Sequence, residues 1–258
     1  MFLIIAYRTR SACIKRSTNR VPQTIGAFCT AKAVKENNAY DMLKREILSL
    51  ALKPGEKLSE NALAVRLKKG RVQIREALSQ LAEEGYVVVY PQRGTEVTLI
   101  SMQRIRQAVH THIVLEQSVI QELCEGKLDE DQYSRLEEVV KNGSRLKTDD
   151  DITGFLASEW SFHYLLSQFG GHEHIWDVFR TLDSDVFRVD WLSYQTFNYP
   201  SSYSMTGMER TQVECRMLLN NIRRGDAEAA VLICANHFNT VAGNADLLRG
   251  IYPQYFMD

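Results

Sequence analysis

The stretch that decides the fold is residues 58–94, LSENALAVRLKKGRVQIREALSQLAEEGYVVVYPQRG. Ser59 is suited to cap a short helix, because its hydroxyl can accept a hydrogen bond from an amide in the first turn. The helical pattern breaks at Lys68–Gly70, and Gly85 is suited to end the helix that follows. That second helix is predicted from its apolar positions, which are Val72, Ile74, Ala77, Leu78 and Leu81.

The elements on either side of these two helices complete a small unit. Tyr86–Tyr90 and Thr95–Leu99 favour strands, and the turn residues Pro91–Gly94 between them predict a hairpin. Upstream, Ala39–Leu50 has helical apolar spacing and is closed by the turn residues Lys53–Glu56. Three helices followed by a hairpin predict a winged helix-turn-helix.

A winged helix-turn-helix lays its third helix in the major groove of DNA, led by the residues at the N-terminus of that helix. Arg71 occupies that N-terminus, and Arg75 follows one turn later on the same face. Arginine can bind guanine O6 and N7 with two hydrogen bonds or clamp a phosphate. Lys69 precedes the helix where phosphates would pass, and Arg93 with Gly94 forms the tip of the wing. We therefore expect these five residues to contact DNA.

The same stretch resembles the GntR family of bacterial regulators. The motifs that carry the resemblance are Leu52–Leu58, Leu58–Leu67, Arg71–Leu78, Leu81–Gly85 and Arg93–Gly94. The resemblance implies that Arg71 and Arg75 touch DNA beside the wing. The family often has serine where this chain has Gly70, and arginine where it has Asn61. These departures affect the expected operator sequence more than the expected activity.

Charge is distributed unevenly along the 258 residues, whose net charge is only −1. Residues 1–35 hold seven basic and no acidic groups, whereas residues 101–258 hold fourteen basic and twenty-three acidic groups. The N-terminal part of the chain is therefore the part expected to bind a polyanion such as DNA. Residues 1–36 lack an apolar period, and we expect either a basic disordered arm or a non-native extension. Residues 37–100 are then the DNA-binding domain.

Residues 101–250 are predicted to form a second, all-helical domain. The candidate helices are 101–125, 129–147, 151–169, 172–196, 206–224 and 226–248. The expected fold class is mainly α, with an N-terminal winged helix-turn-helix (α+β) followed by an all-α helical bundle.

This helical part resembles the FCD ligand-binding domain of FadR-type GntR regulators. The resemblance rests on Glu159–His163, the Gly225–Asp226 joint and His237. In that family an acid four residues before a histidine, with two later histidines, binds a divalent metal. Positions i and i+4 share a helix face, so Glu159 and His163 can point together into the core. The resemblance implies a site made of Glu159, His163, Cys215 and His237.

Cys215 stands where the family usually has histidine. A thiolate ligand would favour zinc, with nickel or manganese as alternatives. Cys215 can equally be a small core residue, in which case the pocket binds its effector without metal. His112 and Arg188 are candidate contacts for a small effector, expected to be an anionic carboxylate. For Arg188, a position on the surface is the more ordinary expectation.

The remaining expectations concern partners and location. A symmetric protein reads a symmetric site, so we expect a homodimer on a palindromic operator, acting as a ligand-controlled repressor. Two other functions stay open: a metal-dependent hydrolase on a helical bundle, and a DNA-binding protein with a purely structural oligomerisation domain. The five scattered cysteines show no CxxC pair, which favours a reducing cytoplasm. No apolar run is long enough to span a membrane, and no signal peptide is recognised.

Overall fold

A computed structural model of the chain describes residues 38–126, 128–146, 152–197 and 205–258. The predicted arm 1–36 lies outside these residues. The described chain is mostly helical with a small sheet near its N-terminal end. This confirms the predicted fold class.

The N-terminal unit is a winged helix-turn-helix. Its helices are α1 (Ala39–Leu48), α2 (Glu60–Leu67) and α3 (Arg71–Glu83), and its strands are β1 (Lys57–Leu58), β2 (Val87–Tyr90) and β3 (Gly94–Val97). The sheet has the order β1–β3–β2 with antiparallel pairing, and Tyr90 faces Gly94 across the wing. Fifteen buried residues, among them Leu43, Ile74 and Leu81, form one core under all three helices.

The local sequence explains how α2 and α3 begin and end. Ser59 caps α2 by accepting a hydrogen bond from the Ala62 amide at 3.4 Å, as predicted. Lys68 ends α2 in the left-handed region, with φ 53°. Gly70 then stands in extended conformation before α3, and its amide donates to Gln73 Oε1 at 3.0 Å. The tight turn between the two helices is therefore fixed within three residues.

A helical domain follows through β4 (Ile100–Ser101). Its helices are α4 (Met102–Gly126), α5 (Glu130–Gly143), α6 (Ile152–Phe169), α7 (Ile175–Leu182), α8 (Ser184–Phe197), α9 (Gly207–Arg224) and α10 (Ala227–Ile251). A 3₁₀ turn, Pro253–Tyr255, leads to β5 (Phe256–Met257), which pairs in parallel with β4. The long helices α4 and α10 pack against each other, and a second continuous core fills the bundle.

Two predictions from the sequence are wrong in detail. The single helix expected over 172–196 is two helices, α7 and α8, which meet at Asp183. Asp183 ends α7, and its carboxylate binds a buried histidine instead of facing solvent. Val72 was expected among the core positions of α3, but its side chain is 68% exposed. No helix in the described part of the chain combines the length and apolar character needed to cross a bilayer.

Candidate DNA-reading face and C-terminal cavity

Helix α3 has one buried face and one exposed face. Ile74, Leu78 and Leu81 lie in the core, whereas Arg71 and Arg75 are on the exposed side. Arg71 is the first residue of α3, and the first turn carries no acidic residue. The free amides at the start of α3 and the Arg71 guanidinium therefore present positive charge together, as an anionic groove requires.

Arg75 is held by an acid from the neighbouring helix. Its Nη2 donates to Glu60 Oε2 at 2.9 Å and its Nε to Glu60 Oε1 at 3.4 Å. The Arg75 side chain remains 72% exposed. Glu60 therefore orients Arg75 without removing it from the surface. No local pattern in the sequence marks Glu60 as part of this face.

The wing supplies the other predicted DNA contacts. Gln92 and Gly94 have positive φ values of 60° and 98°, so the chain reverses tightly at the tip. Arg93 is exposed there, with its guanidinium 5.8 Å from the centre of the Tyr90 ring. Lys69 is half-buried in the turn before α3. The contacts of these residues with DNA stay a prediction.

Within the helical domain, Glu159 and His163 lie one turn apart on α6, and both are buried. His237 from α10 meets them: its Nε2 is 3.2 Å from Glu159 Oε1, and its ring centre is 5.2 Å from that of His163. Three of the four residues expected to form the metal site are thus neighbours.

Two carboxylates that the sequence analysis missed hold these histidines. Glu116 on α4 lies 2.6 Å from His163 Nδ1, and Glu214 on α9 lies 2.9 Å from His237 Nδ1. His163 Nε2 is buried without a hydrogen-bond partner in the described chain. Outer carboxylates on Nδ1 that leave Nε2 available are typical of metal-binding histidines. The one signal for Glu116 was its i+4 spacing from His112.

Two members of this cluster, His237 and Glu116, have pKa values that their neighbours shift. Burial alone would lower the pKa of His237, but Glu159 and Glu214 raise it to about 10. Burial opposes ionisation of Glu116, but His163 and His112 lower its pKa to about 2. Neighbouring groups of opposite charge therefore favour the charged forms of His237 and Glu116.

Cys215 feels the charge of Glu159, but it is not among the described residues that line the cavity described below. Burial and the charge of Glu159 raise the pKa of its thiol well above the usual value. The side chain is part of the apolar core of the bundle. Over the residues that the structure describes, no three His, Cys, Asp or Glu side chains converge as metal ligands do. Glu159, His163 and His237 therefore lie near one another without converging as a set of metal ligands, and burial of the Cys215 thiol opposes the thiolate form that a metal would require.

A small cleft adjoins the cluster, with about 270 Å³ of empty space that includes open solvent. Its described lining includes the carboxylates of Glu159, Asp190 and Glu214, and Arg210 is the one lysine or arginine in it. Asp190 is 6% exposed and makes no hydrogen bond or ion pair with a described residue. The cavity is polar, and its three carboxylates outnumber its two basic side chains, Arg210 and His237. Neither Asp190 nor Arg210 had a recognisable signal in the sequence.

His112, a predicted effector contact, is not among the described residues lining the cavity. Its ring is stacked between Phe179 and Phe238, with centres 3.7 and 4.6 Å away. Nδ1 lies 3.1 Å from Glu116 Oε1, and Nε2 lies 2.8 Å from Asp183 Oδ1. Both ring nitrogens are therefore occupied by protein carboxylates.

Arg188, the other predicted effector contact, is fully buried, so the expectation of a surface position is wrong. It forms an ion pair with Asp185, and its Nη1 donates to the Thr98 carbonyl at 2.6 Å. Asp185 Oδ2 also accepts from the Ser101 amide at 3.0 Å and from Arg104 Nε at 2.7 Å. Arg188 therefore lies at the junction of the two domains, outside the described lining of the cavity.

A winged helix-turn-helix with exposed arginines on its third helix, joined to a helical domain with an internal polar cavity, defines a DNA-binding transcription regulator. Comparison with known proteins identifies the family. Residues 35–97 match the bacterial regulatory proteins of the gntR family, and residues 107–240 match the FCD domain. The chain belongs to the GntR family and carries an FCD domain.

Individual relatives agree with this assignment. The chain is 24% identical over 219 residues to the HTH-type transcriptional repressor RspR of Escherichia coli K12, covering 85% of this chain and 92% of the relative. It is 26% identical over 218 residues to an HTH-type regulator of Streptomyces ambofaciens, covering 84% and 87%. The solved structure of E. coli McbR/YncC matches with a TM-score of 0.64 at 17% identity, covering 83% of this chain and 96% of that one. The family and the two sequence relatives are transcription regulators and not enzymes, so the hydrolase alternative is not supported.

Proposed function

We propose that this GntR-family regulator is a homodimeric repressor that binds a palindromic operator and responds to a small effector in its FCD domain. The observation that carries the proposal is the two-faced helix α3, whose buried side fixes the helix while Arg71 and Arg75 face outward. One such helix reads too few bases for specificity, which favours two copies on a two-fold symmetric site. The repressor role of the relative RspR supports the direction of control.

The binding face is tested by footprinting the wild-type protein on DNA selected from a random pool. Arg75→Ala is expected to abolish specific binding, and Arg71→Ala to cost about 1 to 3 kcal/mol and relax one base position. Arg216→Ala is the matched control, because Arg216 is an exposed arginine on α9 in the other domain. If both α3 variants bind the selected operator like wild type, the proposal is wrong.

The FCD domain is proposed to hold a divalent metal, with zinc favoured, through Glu159, His163 and His237. The support is the buried, unpartnered Nε2 of His163 and the carboxylates on both Nδ1 atoms. A bound metal would supply a positive centre in an otherwise acidic cavity. Elemental analysis of protein purified without chelator tests this. His163→Ala is expected to remove the metal while DNA binding remains, and wild-type protein that neither contains nor takes up metal contradicts it.

A carboxylate effector is proposed to bind between that metal and Arg210, while Arg188 and His112 act elsewhere. The argument is electrostatic, since three carboxylates line the cavity and repel an anion unless positive groups outweigh them. Mass spectrometry of small molecules that purify with the native protein tests the chemical class. Arg210→Gln is expected to lose the bound carboxylate and to keep the metal. A neutral or cationic molecule retained equally by both proteins would contradict it.

A further inference from the structure

Val72 is an apolar side chain on the exposed face of the predicted DNA-reading helix. It is the second residue of α3, between Arg71 and Gln73, and it is 68% exposed. The apolar residues that anchor α3, Ile74 and Leu78 among them, are at most 4% exposed. Two residues along a helix correspond to a rotation of about 200°, so Val72 lies on the side opposite Ile74. Val72 therefore belongs to the outward face that carries Arg71 and Arg75.

Folding gives no reason for valine at this position. A β-branched residue loses side-chain freedom in a helix and is a weaker helix former than alanine, glutamine or glutamate. Exposure of most of the Val72 side chain means that little apolar surface is buried in return. The first residues of the third helix are the ones that meet base edges in the major groove. The position points to an apolar contact in the complex with DNA.

The neighbouring Gln73 is poorly placed to read an A·T pair. Glutamine recognises adenine by accepting a hydrogen bond from N6 and donating one to N7. The Gln73 Oε1 atom already accepts the Gly70 amide hydrogen bond that caps α3, at 3.0 Å. The cap directs the Gln73 side chain back towards Gly70, so bidentate reading of adenine would require its Oε1 to share or give up that hydrogen bond. The thymine 5-methyl group is the apolar feature of an A·T pair in the major groove, and it is the feature that an apolar side chain can contact.

We propose that Val72 contacts the 5-methyl group of a thymine beside the base pair that Arg71 reads, and so determines a T·A preference in each half-site. The inference rests on the proposed function of α3 as the DNA-reading helix. A short, stiff isopropyl group suits this role because it offers methyl groups in one preferred rotamer. It also loses little conformational entropy when the DNA binds.

The test uses the selected operator and replaces its thymines, one at a time, by deoxyuridine, which removes only the 5-methyl group. Wild-type protein is expected to lose roughly 3- to 5-fold in affinity at one thymine per half-site, the value for one buried methyl group. Val72→Ala is expected to bind the thymine and uracil forms equally. Because Val72 is exposed, this variant should fold normally, and its circular dichroism and thermal unfolding confirm that.

Val65→Ala is the matched control. Val65 is 80% exposed on α2, outside the reading helix, and its removal should leave the thymine-to-uracil ratio as in wild type. The inference is overturned if no thymine next to the Arg71 guanine shows the loss, or if the loss persists in Val72→Ala. These results leave the proposed function intact when Arg71→Ala and Arg75→Ala still impair binding. Failure to select any operator would contradict the proposed function, and the role of Val72 with it.

Discussion

Arg188 Nη1 donates a hydrogen bond to the carbonyl oxygen of Thr98 over 2.6 Å, although the two residues are 90 positions apart in the chain. Thr98 follows the wing strand β3, and Arg188 lies on α8 of the helical domain. The same helix carries Asp190 and Tyr194, which line the cavity. Helix α8 therefore contacts both the cavity and the segment that leaves the DNA-binding domain. A shift of this helix at the cavity would also move the end of the wing segment at Thr98.

Arg188→Met is expected to lower the free energy of unfolding by about 3 kcal/mol, because it removes one partner of a buried ion pair and leaves Asp185 less compensated. Urea denaturation measures the change. The double variant Asp185→Asn with Arg188→Met should recover part of the loss, since position 185 then carries no buried charge. A single variant as stable as wild type would show that the junction contributes nothing measurable to folding.

His112 makes the stability of the metal-free protein depend on pH. Burial opposes its charge, but Asp183 and Glu116 raise the pKa from 6.5 to about 9. The folded protein therefore keeps a proton that the unfolded chain releases above pH 6.5. This contribution is complete below pH 6.5 and is lost as the pH rises through 9. His237 acts in the same direction with a pKa of about 10.

The measurement is urea denaturation with chelator present, from pH 6 to 10. We expect the free energy of unfolding to fall as the pH rises from 6.5 to 9. The slope should correspond to the loss of up to two protons, one from His112 and one from His237. His112→Gln should reduce that slope to about one proton, whatever its effect on the absolute stability. His110→Gln is the control, because His110 is exposed on the same helix. A wild-type slope of zero over this range would contradict the prediction.

The sequence predicts the elements whose signals are local. The caps, breaks and apolar periods around Ser59 and Gly70 lie within a few residues of the helices they define. The pairing of Glu159 with His163 follows from i,i+4 spacing alone, and the structure brings His237 to it. Periodicity misplaced Val72, because a list of apolar residues does not show which of them share a helix face.

What the sequence did not predict depends on partners far along the chain. Arg188 was expected at the surface because an arginine is buried only when its charge is paired, and its partners include the distant Thr98. Asp183 ends a helix at a position where periodicity continues, because its carboxylate meets His112, 71 residues earlier. Such long-range pairs create the buried polar network, and no short window of sequence contains both members.

Cys215 is expected to be a packing residue. It is 4% exposed and belongs to the apolar core, apart from the described cavity lining. Cys215→Ala should therefore leave zinc content, measured by elemental analysis, close to that of wild type, whereas His163→Ala should remove it. Loss of zinc in Cys215→Ala as complete as in His163→Ala would make Cys215 a ligand.

Glu60 is expected to act as a positioning residue for Arg75, because its carboxylate accepts two hydrogen bonds from the Arg75 guanidinium. Glu60→Gln removes a negative charge near the phosphates, so affinity for unrelated DNA should rise. It also weakens the charge-assisted contact that orients Arg75, so affinity for the operator should rise less or fall. The ratio of the two dissociation constants, measured at a fixed salt concentration, should shrink by roughly 10-fold, which is about 1.4 kcal/mol. Glu76→Gln on the exposed side of α3 removes the same charge without touching this contact. An equal change of the ratio in both variants would mean that Glu60 acts by charge alone.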